Sequence, residues 1–119
     1  MNSRATVVSQ EIRTKTPSED IDYVADFTDI LDGATINSIT GNDPHGTELG
    51  VTFPSGVTEV GSAAIYGGGT VDGRTIEASK AAIFGVRGGT HDTLYEISVK
   101  VRTSDGMTRE MICRVKAVS

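Results

Sequence analysis

Two histidines, His45 and His91, are the residues of this sequence best suited to acid–base or metal chemistry. Each has a carboxylate close by in sequence, Asp43 near His45 and Asp92 next to His91. A metal centre or a general base needs several such side chains to converge on one point. Both histidines fall in predicted loops, where neighbouring carboxylates are common by chance. We therefore expect neither to be a functional residue.

Carboxylates are dense between residues 19 and 32, where six occur: Glu19, Asp20, Asp22, Asp26, Asp29 and Asp32. Two carboxylates in different environments can hydrolyse a glycosidic bond across a cleft, and several together can bind Ca²⁺. The spacing of an EF-hand loop is absent, and these residues fall mostly on the polar side of one predicted strand and the turn after it. A solvated acidic face is the favoured interpretation.

Cys113 is the one cysteine of the chain, so no internal disulfide can form. Its place in an apolar alternation predicts a buried, inert thiol. The glycine runs at 67–69 and 88–89 lack the Lys-Ser/Thr pair and the following helix of a phosphate loop, so they are predicted as turns. We predict no catalytic residue, no cofactor site and no metal site, and we expect no enzymatic activity.

The net charge of −5, from 16 acidic and 11 basic residues, opposes binding to the phosphates of nucleic acids. No apolar run approaches the ~20 residues of a membrane-spanning helix. The N-terminus has no apolar stretch typical of a signal peptide. We therefore expect neither nucleic acid nor a membrane among the partners.

Apolar and polar residues alternate with period two in several segments, which predicts β-strands. The clearest are residues 94–102 and 107–118, which the Asp105-Gly106 turn joins into a hairpin. Further strands are predicted at 20–27, 34–40, 48–53, 75–79 and 81–86, and no segment has helical periodicity over 10–12 residues. The predicted inward-facing residues are Tyr23, Phe27, Phe84, Tyr95, Ile97, Val99, Val101, Cys113 and Val115.

Tyr95 stands at the start of a strand, directly after a glycine-containing corner. This arrangement is typical of the tyrosine corner of immunoglobulin-like sandwiches, in which the hydroxyl bonds back to the corner backbone. The alternative is an ordinary inward-facing strand residue. The predicted fold is all-β, an immunoglobulin-like antiparallel β-sandwich with an extended N-terminal arm.

One domain fits the 119 residues. Residues 1–18 are either an N-terminal arm or the first strand, and residues 19–119 form the sandwich, with a Gly-rich insertion at about 57–76. We expect the insertion to project from one end of the sandwich and the arm to pack on a neighbouring chain. The interface candidates are Val7, Val8 and Ile12 in the arm, and Ile65 and Tyr66 in the insertion.

Several short motifs, in their order along the chain, resemble a family of small phage virion proteins, the fibre–tail adaptors or Ig-like phage structural proteins. They are Lys15-Thr-Pro17, Asp22-Tyr23, Asp26-Phe27, Leu31-Asp-Gly33, Thr35-Ile36, Ser38, Gly88-Gly89-Thr90, Tyr95-Glu-Ile97, Thr103-Ser-Asp-Gly106 and Thr108. The resemblance covers residues 15–56 and 80–118. The sequence departs from the family at residues 57–79, which look like an insertion, and at Phe27 and Phe84, where the family has Trp. The segment before Lys15 is also longer.

The resemblance implies a non-enzymatic structural protein of a tailed-phage virion, synthesised and assembled in the bacterial host cytoplasm. It would be an adaptor that joins the neck or tail to the fibres, or a decoration or cement protein of the capsid. The implied partners are other virion proteins of the neck, tail, fibre or capsid, contacted by multiple copies. The alternative is a carbohydrate- or receptor-binding Ig-like module, for which Tyr66 beside the glycine run is the attractive aromatic residue.

Overall fold

The computed structural model describes residues 3–8 and 12–118, with side chains from residue 14 onward. Its elements are β1 (Ser3–Val8), β2 (Ile12–Lys15), β3 (Asp20–Asp26), α1 (Thr28–Leu31), β4 (Ile36–Ser38), β5 (Gly50–Thr52), β6 (Val57–Ile65), β7 (Gly69–Val71), β8 (Arg74–Ile76), β9 (Ala81–Gly88), β10 (Leu94–Thr103) and β11 (Thr108–Ala117). The all-β prediction is confirmed, since α1 is a single helical turn in the described part of the chain.

Two sheets form the body of the domain. The first has the strand order β1-β3-β9-β6, and the second has the order β2-β11-β10, with β4 and β5 both paired to β10. Most neighbouring strands are antiparallel. The exceptions lie at the N-terminus, where β1 runs parallel to β3 and β2 runs parallel to β11.

The core lies between these two sheets and contains all nine residues that alternation predicts to face inward. Tyr23 and Phe84 are cross-strand neighbours in the first sheet, with ring centroids 6.0 Å apart. Phe53, just beyond β5 of the second sheet, meets Phe84 edge-on at 6.1 Å. Cys113 is fully buried, and this burial raises the pKa of its thiol to about 12, as expected for an inert cysteine.

Residues 57–76 do not project as one loop. β6 is a nine-residue edge strand paired with β9, and β7 and β8 form a short two-stranded ribbon. Val71 and Ile76 of this ribbon pack with Val24 and Ala81 in a second apolar cluster. The expected projection is therefore corrected: the ribbon has apolar side chains, and it buries them against its own domain.

The first residues pair with strands of their own domain, as in the first-strand alternative. β1 extends the first sheet beside β3, and β2 extends the second sheet beside the end of β11. β1 and β2 thus lie at the outer edges of two different sheets. An arm that packs on a neighbouring chain stays a prediction.

Candidate docking surfaces

The corner before β10 is built as a tyrosine corner. The Thr90 backbone N–H donates to Tyr95 Oη at 2.7 Å, which confirms the predicted bond to the corner backbone. Hydrogen bonding to Thr90, through its side chain first and through this backbone N–H second, lowers the pKa of Tyr95. Gly56 lies against the same ring, and a Cβ at that position would come within 2.9 Å of it. The corner is therefore a fixed structural joint.

A buried cation lies beside this corner. Lys15 is 1% exposed, and its Nζ donates to the carbonyl oxygens of Thr16 and Gly88, each at 2.6 Å. Burial lowers the pKa of Lys15, while Glu19 and Asp20 oppose that shift. The bond to Gly88 ties the end of β2 to the end of β9, so this lysine joins the two sheets.

Asp20 corrects the expectation of a solvated acidic face at its own position, because it is only 7% exposed. Arg87 Nε donates to Asp20 Oδ1 at 2.9 Å, and Arg87 Nη2 donates to Oδ2 at 2.8 Å. This bidentate pair holds the pKa of Asp20 below its usual range. Asp26 also has partners, accepting from Thr28 and from Arg74.

Asp43 binds backbone groups of the loop that contains His45. Asp43 Oδ1 accepts the backbone N–H groups of His45 and Thr47 at 2.9 Å, and its Oδ2 accepts the Thr108 hydroxyl at 2.8 Å. These bonds, the one from Thr108 first, lower the pKa of Asp43. Asp43 therefore fixes the 42–48 loop against β11.

His91 Nε2 lies 3.3 Å from Asp92 Oδ2, and both side chains are more than half exposed. Within residues 14–118, no three His, Cys, Asp or Glu side chains come together in a way that could hold a metal ion. No helix in the described part of the chain is long and apolar enough to cross a membrane.

The outer face of the second sheet carries charges that pair with one another across β10 and β11. Arg114 Nε donates to Glu96 Oε2 at 3.1 Å. Lys100 Nζ lies 3.9 Å from Glu110 Oε2, which also accepts the Ser98 hydroxyl at 2.6 Å. Both glutamates of this face, Glu96 and Glu110, thus have a cationic neighbour on the adjacent strand.

A groove opens along the opposite side of the domain, between the free edge of β6 and the residues around β5. Its volume is about 410 Å³. Glu59, Ser62 and Ala63 of β6 form one wall, and residues 39–42 and 48–51 form the other. We call it the β6 groove.

A bulge in β6 shapes this groove. Val60 pairs with Gly85 and Ala64 pairs with Ile83, so residues 61–63 stand opposite Phe84 alone. Gly61 has φ +71°, a left-handed conformation that glycine adopts without a steric penalty. Two residues of this bulge, Ser62 and Ala63, line the groove. Bulges at sheet edges commonly redirect side chains in this way.

The predicted interface residues lie in different elements of the fold. Val7 and Val8 lie in β1 and Ile12 begins β2, all three outside the residues whose side chains the structure describes. Ile65 packs against the main core and Tyr66 against the second cluster, each half-buried. Their role at an interface stays a prediction.

A sequence model of the family described as the podophage GP4 fiber-tail adaptor protein gp77 matches residues 15–116. The chain belongs to this family. The matched part of the chain starts at the buried Lys15 and ends within β11, so it covers both sheets except β1 and most of β2. No curated protein and no solved structure matches the chain significantly.

Sequence reasoning missed the β6 groove. The one local signal for it was Gly61, since an isolated glycine inside a strand pattern suggests a bulge. The groove walls come from segments whose closeness depends on the sandwich itself. Glu48 and Glu59 were not recognised because they are eleven positions apart and belong to no motif.

Proposed function

We propose that this fibre–tail adaptor joins the tail or neck of a tailed-phage virion to its fibres, in multiple copies per particle and without catalysis. The observation that carries this proposal is the family match over residues 15–116. The proposal includes the position of the protein in the virion, its copy number and its partner proteins.

The architecture supports a role as a joint. An adaptor transmits force between two other proteins, so its ends must keep a fixed relative position. Here the two sheets are joined by the ring pair of Phe53 and Phe84, by the Lys15 bonds and by the tyrosine corner. The ring pair lies in the core between the sheets, and the Lys15 bond to Gly88 and the tyrosine corner lie together at the connection from β9 to β10, so these links resist the sheets sliding apart.

The carbohydrate-binding alternative receives no support from its candidate residue. A sugar-binding aromatic ring has to present a face to solvent, but Tyr66 packs against the cluster of Val71 and Ile76. Its hydroxyl lies where a Cβ at Gly69 would come within 2.8 Å. Both contacts engage the ring within the domain.

The test uses a phage with a nonsense mutation in the gene for this protein. The mutant phage is grown in host cells with and without a complementing copy of the gene. We expect the mutant to yield DNA-filled heads with tails but without fibres, and complementation to restore the fibres. Electron microscopy of negatively stained particles provides the measurement. Fully fibred mutant particles would refute the proposal, and fibred particles whose capsids burst at low salt would favour capsid decoration instead.

A further inference from the structure

We propose that the β6 groove is the docking site for an extended, positively charged segment of a partner virion protein, which adds to the free edge of β6. This inference rests on the proposed function and specifies the chemistry of one partner. Three features of the described residues support it: a free strand edge, two unpaired carboxylates that also disfavour a second copy of this chain, and a volume that fits side chains and a short stretch of backbone.

One side of β6 is a free strand edge. β6 is the last strand of the first sheet in the described part of the chain, and β9 is its partner on one side only. The main-chain N–H and C=O groups on the other side of a regular edge strand can pair with an added strand. Residues 57–60, before the bulge, keep regular register with β9, and they provide a short template of this kind.

The charge of the groove specifies the occupant. Glu48 and Glu59 line it from opposite walls, and none of the other lining residues is basic. Both side chains are exposed, and neither has a salt bridge among residues 14–118. On the outer face of the second sheet, by contrast, glutamates pair with lysine or arginine. A Lys or Arg side chain in the occupant would complete the missing pairs.

A second copy of this chain is the poorer occupant. A symmetric dimer through this groove would bring the same patch of both copies together, so Glu48 and Glu59 would face their own equivalents. Like charges placed opposite each other act against such a contact.

The size of the groove fits side chains and a short stretch of backbone. Its volume of about 410 Å³ lies within the range of about 300–1,000 Å³ typical of binding clefts. Gly50 lines the second wall without a side chain. An extended segment therefore has room to lie between the walls.

The test uses the full-length protein and two purified probes from the same phage: tailed particles lacking this protein, and the isolated fibre protein. The variant is Glu48→Gln with Glu59→Gln, and the matched control is Asp29→Asn with Glu77→Gln, two exposed carboxylates outside the groove. We expect the groove variant to bind one probe about 25-fold more weakly at low salt, about fivefold per exposed ion pair. The control should bind as the wild type does.

A cross-linking experiment identifies the occupant directly. Ser62→Cys places a thiol in the groove wall, while Cys113 stays unreactive because it is buried. A short photoactivatable cross-linker on this thiol should capture a Lys- or Arg-bearing segment of the probe protein, identified by mass spectrometry. Ser55→Cys, also exposed, serves as the control outside the groove and should not capture that segment.

The outcomes distinguish a failure of the proposed docking site from a failure of the proposed function. If the wild type and the groove variant bind both probes equally, and no cross-link forms at residue 62 in the bound state, the docking site is wrong while the adaptor role stands. A cross-link to a second copy of this chain would also overturn it. If the wild type binds neither probe and enters no particle, the proposed function itself fails.

Discussion

The contact between Phe53 and Phe84 should couple the two sheets energetically, and a double-mutant cycle can measure that coupling. The rings meet edge-on at 6.1 Å with their planes 79° apart, a geometry that aromatic pairs favour. Phe84 belongs to β9 of the first sheet, and Phe53 follows β5 of the second. Substituting each ring with leucine keeps the site apolar while it removes the ring–ring contact.

The expected magnitude follows from burial. Phe84 is 1% exposed, so its truncation to alanine should lower the free energy of unfolding by about 3–5 kcal/mol. The coupling between Phe53→Leu and Phe84→Leu should be about 0.5–1.5 kcal/mol, the value for aromatic pairs beyond their buried area. Because Phe53 is only half-buried, we expect a result in the lower half of that range.

Urea denaturation followed by circular dichroism measures these energies, provided that all variants share one slope m. Ile112→Ala combined with Phe84→Leu is the control, since Ile112 is on the outer face of β11 and 37% exposed. That pair should be additive within about 0.5 kcal/mol. Additive energies for the Phe53–Phe84 pair as well would refute the packing described here.

Three further predictions concern single positions. Tyr95→Phe should lower the melting temperature because it removes the hydroxyl that accepts the corner N–H, whereas Tyr66→Phe should not. Gly85→Ala should destabilise the fold because its Cβ would lie 2.7 Å from a carbonyl oxygen of β6, and Gly67→Ala, with open space, should be tolerated. The stability that Asp20 contributes through its lowered pKa is present above the ordinary aspartate pKa of about 4. It is lost as pH falls through the lower folded value, so Asp20→Asn should flatten acid unfolding measured between pH 5 and pH 2.

The sequence predicts the hairpin of β10 and β11 well because its determinants are local. Nine successive register pairs follow a strict alternation around one Asp-Gly turn. The same reasoning places Cys113 and Tyr95 correctly inside. Where one face of a sheet is buried and the pairing is regular, the period-two alternation is sufficient to predict the strand and its inward-facing residues.

The sequence did not predict the edge strand at residues 57–65, and the reason is physical. The bulge sets residues 61–63 against one residue of β9, so the alternation on which strand prediction depends is broken in mid-strand. The partner strand follows some twenty residues later, beyond a ribbon that itself contains glycines. Glycine content therefore suggested a projecting insertion where an edge strand and a ribbon exist.

Buried charge is the second class of feature beyond the reach of local patterns. Lys15 is buried because Gly88 offers a carbonyl oxygen 73 positions away, and Asp20 because Arg87 lies 67 positions away. The residues next to Lys15 and Asp20 in the sequence do not indicate either contact. The parallel pairing of β2 with β11 is likewise a long-range property, because Ile12 meets Arg114 near the other end of the chain.

The most direct test of the adaptor role is a cryo-microscopy reconstruction of the intact virion compared with particles from the nonsense mutant. The account predicts repeated density between tail and fibres that accommodates a two-sheet body of 41 × 33 × 24 Å, and its loss together with the fibres in the mutant. Density for this protein on the capsid surface alone, or an unchanged tail–fibre junction in the mutant, would contradict it.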